Sequence, residues 1–200
     1  MRCGFADYTL GDDIMKFDFF HIKGPCLITP ERFGDHRGFF METYQSQKFE
    51  EAIGARITFV QDNQSLSKTK GTLRGLHYQS PPHAQGKLVR CIKGSITDIA
   101  VDFRNGSPNY GEYVKVTLSA ENRQQLWVPE GFLHGFVTLE DNTEVVYKVT
   151  NYYSAEADGN ILWNDPDLGI DWGVIPSSVT LSDKDQKAPS FKSFNSPFNF

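Results

Sequence analysis

The residues of this 200-residue chain best suited to chemistry are His77, in Arg74-Gly75-Leu76-His77-Tyr78-Gln79, and Lys87, in Gln85-Gly86-Lys87-Leu88-Val89-Arg90. Imidazole titrates near neutral pH, whereas a lysine ordinarily stays protonated. A base held beside a cation can lift a proton from carbon and stabilise the negative charge left behind. The pairing therefore points to carbanion chemistry.

Such residues need a scaffold, and the pattern around them is that of strands. Val114, Val116 and Leu118 alternate with Tyr113, Lys115 and Thr117, and Ile99, Val101 and Phe103 alternate with Ala100 and Asp102. This period of two predicts half-buried strands. Further β-rich runs at 26–29, 39–44, 57–60, 88–92 and 145–149, mostly separated by Gly, Pro, Asn or Asp, predict an antiparallel sandwich or barrel. One internal helix is expected over 46–53, with Ser46 as its N-cap and Glu50 and Glu51 just inside. Val145, Tyr147 and Val149 share one face of their run, so on pattern alone Tyr147 is equally a core residue. Residues 190–200 show no clear periodicity. The all-β pattern leaves a jelly roll, an up-and-down barrel and an immunoglobulin-like sandwich open.

The length suits a single domain spanning residues 1–200, with a core large enough to need no disulfide or structural metal. A net charge of -5 argues against nucleic acid as a partner, because blanketing phosphates takes an excess of basic residues; an anionic ligand must instead meet a local basic cluster. Cys3, Cys26 and Cys91 are odd in number and widely spaced, which suggests neither a disulfide framework nor a thiolate metal site and fits a reducing compartment. There is no long apolar run, and the N-terminal stretch containing Asp7, Asp12 and Asp13 lacks the apolar centre of a signal peptide. A cytoplasmic protein without a membrane partner is expected.

Several segments then stand in a recognisable order: Phe33-Gly34-Asp35-His36-Arg37-Gly38-Phe39-Phe40, Phe59-Val60-Gln61-Asp62-Asn63, the His77 and Lys87 segments, Trp127 through Phe136, Tyr147 through Tyr153, Ile161 through Asp165 and Leu181 through Asp185. Over roughly residues 17 to 190 the chain resembles the dTDP-4-dehydrorhamnose 3,5-epimerases of the cupin superfamily. Residues 1–16 lie before that region as an N-terminal extension. The resemblance implies an all-β, cupin-type jelly roll with few short helices and a pocket between its two sheets. It implies a cofactor-independent, metal-free isomerase that inverts C3 and C5 of dTDP-4-dehydro-6-deoxy-D-glucose through enolates, giving dTDP-4-dehydro-L-rhamnose.

Residue by residue, the resemblance makes His77 the general base and Asp185 the carboxylate that fixes its tautomer, in preference to the nearby Asp183. It makes Tyr147 the general acid on the opposite face of the sugar, and Lys87 and His134 the groups that hold the enolate oxygen. Arg37 and Arg74 match diphosphate-binding arginines, whose planar forks suit phosphate oxygens. Phe33, Glu42, Gln61 and Asn63 match thymidine-binding positions, Tyr153 the aromatic stacked on the base, and Lys184 a ligand-contacting lysine. Asp158 stands where the family commonly has glutamate. Phe33, Arg37 and Glu42 are expected to act across a homodimer interface formed by strand exchange. One point conflicts with a regular strand: Arg74 and His77, three apart, would face opposite sides unless Gly75 hosts a bulge.

Two other functions compete with this reading. A metal-dependent cupin would use His77, His83 and His134, but the usual His-x-His pair is missing, since Tyr78 and Gln79 follow His77. A non-catalytic sugar-binding cupin leaves the co-occurrence of His77, Tyr147 and Asp185 unexplained. Within the enzyme reading, the rival is a paralogue that inverts C3 or C5 alone.

Overall fold

The computed structural model describes residues 15–200; the N-terminal extension as far as residue 14, with Cys3 and its aspartates, lies outside the described residues. One sheet has six strands in the order β1 (Met15–Phe19), β2 (Cys26–Pro30), β11 (Gln125–Val128), β7 (Lys87–Lys93), β13 (Thr143–Val149) and β5 (Gln61–Ser67). The second has five, in the order β10 (Tyr113–Ser119), β8 (Ser95–Asp102), β12 (Phe132–Thr138), β6 (Leu73–Gln79) and β14 (Asp158–Asn160). All pairings within both sheets are antiparallel. This is the two-sheet jelly roll of a cupin. Two smaller pairings complete it: the hairpin β3 (Phe33–Asp35) with β4 (Gly38–Phe40), and a parallel pairing of β9 (Arg104–Asn105) with β15 (Phe198–Asn199).

Three layers of apolar packing hold the sheets. Between them, Val89, Ile96, Val114, Leu126, Phe132 and Val145 form a core drawn from both sheets. The outer face of the five-stranded sheet is covered by chain from beyond β14, where Ile161, Trp163, Trp172, Phe191 and Phe198 pack on Leu76, Val101 and Leu133. The outer face of the six-stranded sheet buries Ile28, Leu88 and Trp127 beneath Phe49 of helix α1 (Ser46–Ile53). Phe49 meets Trp127 edge-on, with ring centroids 5.3 Å apart, a favoured aromatic geometry.

That covering explains where the structure departs from the sequence pattern. β8 is buried on both faces: Ala100 and Asp102 are as inaccessible as Ile99 and Val101, so it is no half-buried strand. Residues 190–200, without periodicity, contribute Phe191 and Phe198 to the outer layer and end in β15. The run at 57–60 is not a strand; Ile57 and Phe59 pack against the α1 layer and the ladder begins at Gln61. Of the run at 39–44, only Phe39 and Phe40 pair in a strand. Helix α1 has the expected span, but its N-cap is Gln45, whose side chain accepts from the Lys48 amide at 2.7 Å, and Ser46 is the first helical residue.

Candidate active site

The cavity between the sheets has a volume of about 420 Å³ and is lined from both sides, by Arg74 and His77 of β6, His134 of β12, Lys87 of β7 and Tyr147 of β13. Strand alternation turns these residues inward. Arg74 and His77 reach the same cavity because β6 carries a bulge. His134 opposes His77 and Phe136 opposes Arg74, so three steps along β6 match two along β12. The distortion sits at Gly75, whose φ of +138° favours glycine, and a Cβ there would lie 2.5 Å from Gly135 Cα.

Asp185 is delivered by α2 (Asp183–Gln186), a single turn capped by Ser182. His77 Nε2 lies 2.6 Å from Asp185 Oδ1, and the Ser182 hydroxyl donates to Asp185 Oδ2 at 2.9 Å. Asp183 is exposed, so Asp185 is the carboxylate at His77. Burial raises the Asp185 carboxyl, but the His77 ring, the Ser182 hydroxyl and the Gly75 amide together hold it below the usual carboxylate range. A carboxylate only accepts, so Nε2 of His77 carries a hydrogen and Nδ1 is left for proton transfer.

Across the cavity, burial raises the Tyr147 phenol, with the Arg74 charge pulling the other way; the hydroxyl therefore stays protonated. Burial pushes the Lys87 ammonium down to about 8, against the opposing pull of Asp158 and Asp98 and with a further push from Lys184. Lys87 is thus not the ordinary lysine that its sequence suggests. His134 is buried, with Nε2 2.7 Å from Asp98 Oδ1.

An adjoining cavity of about 430 Å³ shares His77, Lys87, Tyr147 and Lys184 with the first and adds Gln61, Asn63, Tyr153 and Asp158. Asp158 anchors this side, accepting from Lys184 Nζ at 2.6 Å and from the Tyr153 hydroxyl at 3.2 Å. The Gln61 amide donates to Asn63 Oδ1 at 2.7 Å. Phe33 and Arg37 lie elsewhere, lining a cavity of their own on the β3–β4 hairpin, where the Arg37 guanidinium binds Asp35 through Nε at 3.0 Å. Glu42 sits near α1, with Oε1 3.7 Å from Lys48 Nζ. The folded chain therefore gathers eleven of the sequence-predicted residues into two connected cavities and leaves these three apart.

Three residues of the site escaped the sequence reading. Ser182 caps α2 and holds Asp185, and the spacing Ser182-Asp183-Lys184-Asp185 is a readable capping signal. Gln79 donates to the His83 and Tyr152 carbonyls and accepts from the Ser154 amide, fixing the loop that carries Tyr153. Asp98 is a carboxylate in the otherwise apolar Ile96–Ala100 face, and that incongruity was its signal.

A sequence model of the family described as dTDP-4-dehydrorhamnose 3,5-epimerase matches residues 20–193. The dTDP-4-dehydrorhamnose 3,5-epimerase of Salmonella typhimurium is 56% identical over 168 residues, 84% of this chain and 91% of that protein. Among solved structures, the dTDP-4-dehydrorhamnose 3,5-epimerase of Elizabethkingia anophelis superposes with a TM-score of 0.87 at 46% identity, over 91% of this chain and 99% of that one. The dTDP-6-deoxy-D-glucose-3,5-epimerase of Legionella pneumophila, solved in complex with dTDP-4-keto-L-rhamnose, gives a TM-score of 0.85 at 46% identity, over 89% and 93%. On the match along the sequence and on the shared fold, the chain belongs to the dTDP-4-dehydrorhamnose 3,5-epimerase family.

Proposed function

We propose that this chain inverts C3 and C5 of dTDP-4-dehydro-6-deoxy-D-glucose, giving dTDP-4-dehydro-L-rhamnose for dTDP-rhamnose synthesis. The observation that carries this reading is the placement of a dyad-held histidine and a protonated tyrosine on opposite walls of one cavity: His77 on the five-stranded sheet and Tyr147 on the six-stranded sheet. A ring bound between them meets base on one face and acid on the other, and inversion requires loss and gain of hydrogen on opposite faces.

In this mechanism Nδ1 of His77 takes the proton from carbon next to the C4 ketone, and Asp185 balances the imidazolium that forms. The electron pair moves into the ketone, and Lys87 and His134 hold the resulting enolate oxygen. The Tyr147 hydroxyl then protonates the opposite face, and solvent restores both groups. The ketone is itself the electron sink, so the residues need no added cofactor. Arg74 and Arg37 take the diphosphate, while Phe33, Glu42, Gln61, Asn63, Tyr153, Asp158 and Lys184 take the thymidine end. A purified sample given the substrate and a downstream 4-keto reductase should turn over at the same rate with and without a chelator. Loss of turnover on chelation would restore the metal-dependent reading.

Tyr147→Phe keeps the ring and removes the proton donor, so net inversion should slow by about a hundredfold or more, while solvent exchange at the substrate carbons slows less. Equal loss of both would take Tyr147 out of the reprotonation step. Lys87 holds an enolate only as ammonium, which prevails below about 8; kcat should therefore fall as pH rises through that value. A profile flat from neutrality to well above it would remove the Lys87 charge from catalysis.

The same reading makes the protein a homodimer whose β3–β4 hairpin enters the partner's site, which accounts for Phe33 and Arg37 lying away from the cavities that hold His77 in the same chain. Mixing Arg37→Ala with His77→Ala dimers under subunit exchange should restore activity that neither variant has alone; no recovery in exchanged dimers would place Arg37 outside the partner's site. Cytoplasmic residence belongs to this reading too, supported by the free, buried thiols of Cys26 and Cys91. No helix among the described residues is long and apolar enough to cross a membrane.

A further inference from the structure

On the inner face of β8, Asp98 lies between Ile96 and Ala100, and all three are fully buried. A carboxylate in such a place is costly unless its charge is compensated. Asp98 Oδ1 lies 2.7 Å from His134 Nε2, and Oδ2 meets no donor among the described residues. Asp185 differs in this respect, because its charge is shared among the His77 ring, the Ser182 hydroxyl and the Gly75 amide. The negative charge of Asp98 thus bears on one hydrogen-bonded partner, the imidazole of His134.

A carboxylate accepts, so Nε2 of His134 carries a hydrogen and Nδ1 is the nitrogen left to meet a ligand. In a neutral ring Nδ1 would itself be an acceptor and could not donate to an enolate oxygen. Holding that oxygen requires hydrogen on both nitrogens and a counter-charge behind the ring. We propose that Asp98 is a positioning residue which fixes Nε2–H of His134 and keeps the ring as an imidazolium, so that Nδ1–H donates to the enolate oxygen beside Lys87. The pair adds a cation at the oxygen while leaving the resting cavity neutral at that point. This rests on the reading above that His134 faces the enolate.

Other charged or titratable groups face the same cavity: Arg74 and His77 from β6, Lys87 from β7, Tyr147 from β13 and Lys184 and Asp185 from α2. The Asp98 charge also pulls the Lys87 ammonium upward, so loss of Asp98 acts on two cations, and a cycle with His134 is needed to separate the effects.

The test uses the full chain with ¹⁵N-labelled histidine. Wild-type His134 should show both ring nitrogens protonated near neutral pH, and Asp98→Asn, which keeps the volume and an acceptor but removes the charge, should show one. Asp98→Asn should lower kcat by about a hundredfold, the scale of losing one oxyanion donor, with KM within about threefold because the ground-state ketone is little affected. In a His134→Gln background the same change should cost less than about threefold further. A neutral His134 ring in the wild type overturns the proposal without recourse to any variant, so a poorly folding Asp98→Asn protein does not shield it. An undiminished cost of Asp98→Asn in the His134→Gln background also overturns it, because Asp98 would then act through Lys87 or through the fold. Wild-type turnover by His134→Gln would instead sink the reading of His134 at the enolate, and the proposal with it; slow His134→Gln beside unimpaired Asp98→Asn sinks the proposal alone.

Discussion

His77→Asn is expected to abolish measurable proton exchange at both C3 and C5 and to lower kcat/KM by about a hundred- to ten-thousand-fold, the range contributed by a positioned general base. The reason is geometric. His77 lines the cavity with Nε2 2.6 Å from Asp185, which leaves Nδ1 for the substrate. Asparagine can still donate its amide to Asp185, so the carboxylate that loses imidazole keeps a donor there as well as Ser182 and the Gly75 amide, and the fold should survive. Substrate affinity should change little, because the diphosphate and thymidine contacts lie on other side chains. Exchange is read by NMR in deuterated water. Retained exchange at either carbon at the wild-type rate would remove His77 as the base for that carbon.

A second large effect is expected from a residue that carries no functional group. Gly75→Ala should lower stability by about 3 kcal/mol or more and the melting temperature by roughly 10 °C, with loss of activity in whatever protein remains folded. The new Cβ would sit 2.5 Å from Gly135 Cα and 3.0 Å from the His134 carbonyl, at a φ of +138° that side chains rarely adopt. Relief must come from moving β6 away from β12, and that movement displaces Arg74, His77 and the Gly75 amide that supports Asp185. Gly34→Ala, whose Cβ would meet Gly38 O at 3.6 Å, serves as a control and should change the melting temperature little. Equal melting temperatures for the two variants would show that the bulge tolerates a side chain.

Both predictions depend on features of unequal legibility. The strand of Val114, Val116 and Leu118 could be read because one face of β10 is covered and the other is not. β12 could not be read by alternation, since all its residues from Phe132 to Thr138 are buried and a strand covered on both faces loses its period of two. The ordering of 190–200 was invisible for a related reason: Phe191 and Phe198 earn burial only against a sheet built from distant segments. At the site, residue types and spacing suggested His77 with Lys87, and the family resemblance supplied Asp185 and Tyr147. The conflict between Arg74 and His77 was visible as a matter of parity, and so was the glycine that resolves it. The contact of Asp98 with His134 was not visible, because it spans 36 positions and runs diagonally across the β8–β12 register, in which Asp98 pairs with Phe136 and His134 with Ala100.

The most direct test of the central claim, that one cavity removes and returns protons on opposite faces of both carbons next to the ketone, is to follow the C3 and C5 protons of dTDP-4-dehydro-6-deoxy-D-glucose by NMR during turnover in deuterated water. Deuterium entering both positions, with the L-sugar captured by a downstream reductase, is the predicted result. Deuterium at one carbon alone would contradict double inversion and point to a single-centre epimerase, and exchange at neither would contradict the assignment of His77 and Tyr147 as base and acid for this sugar.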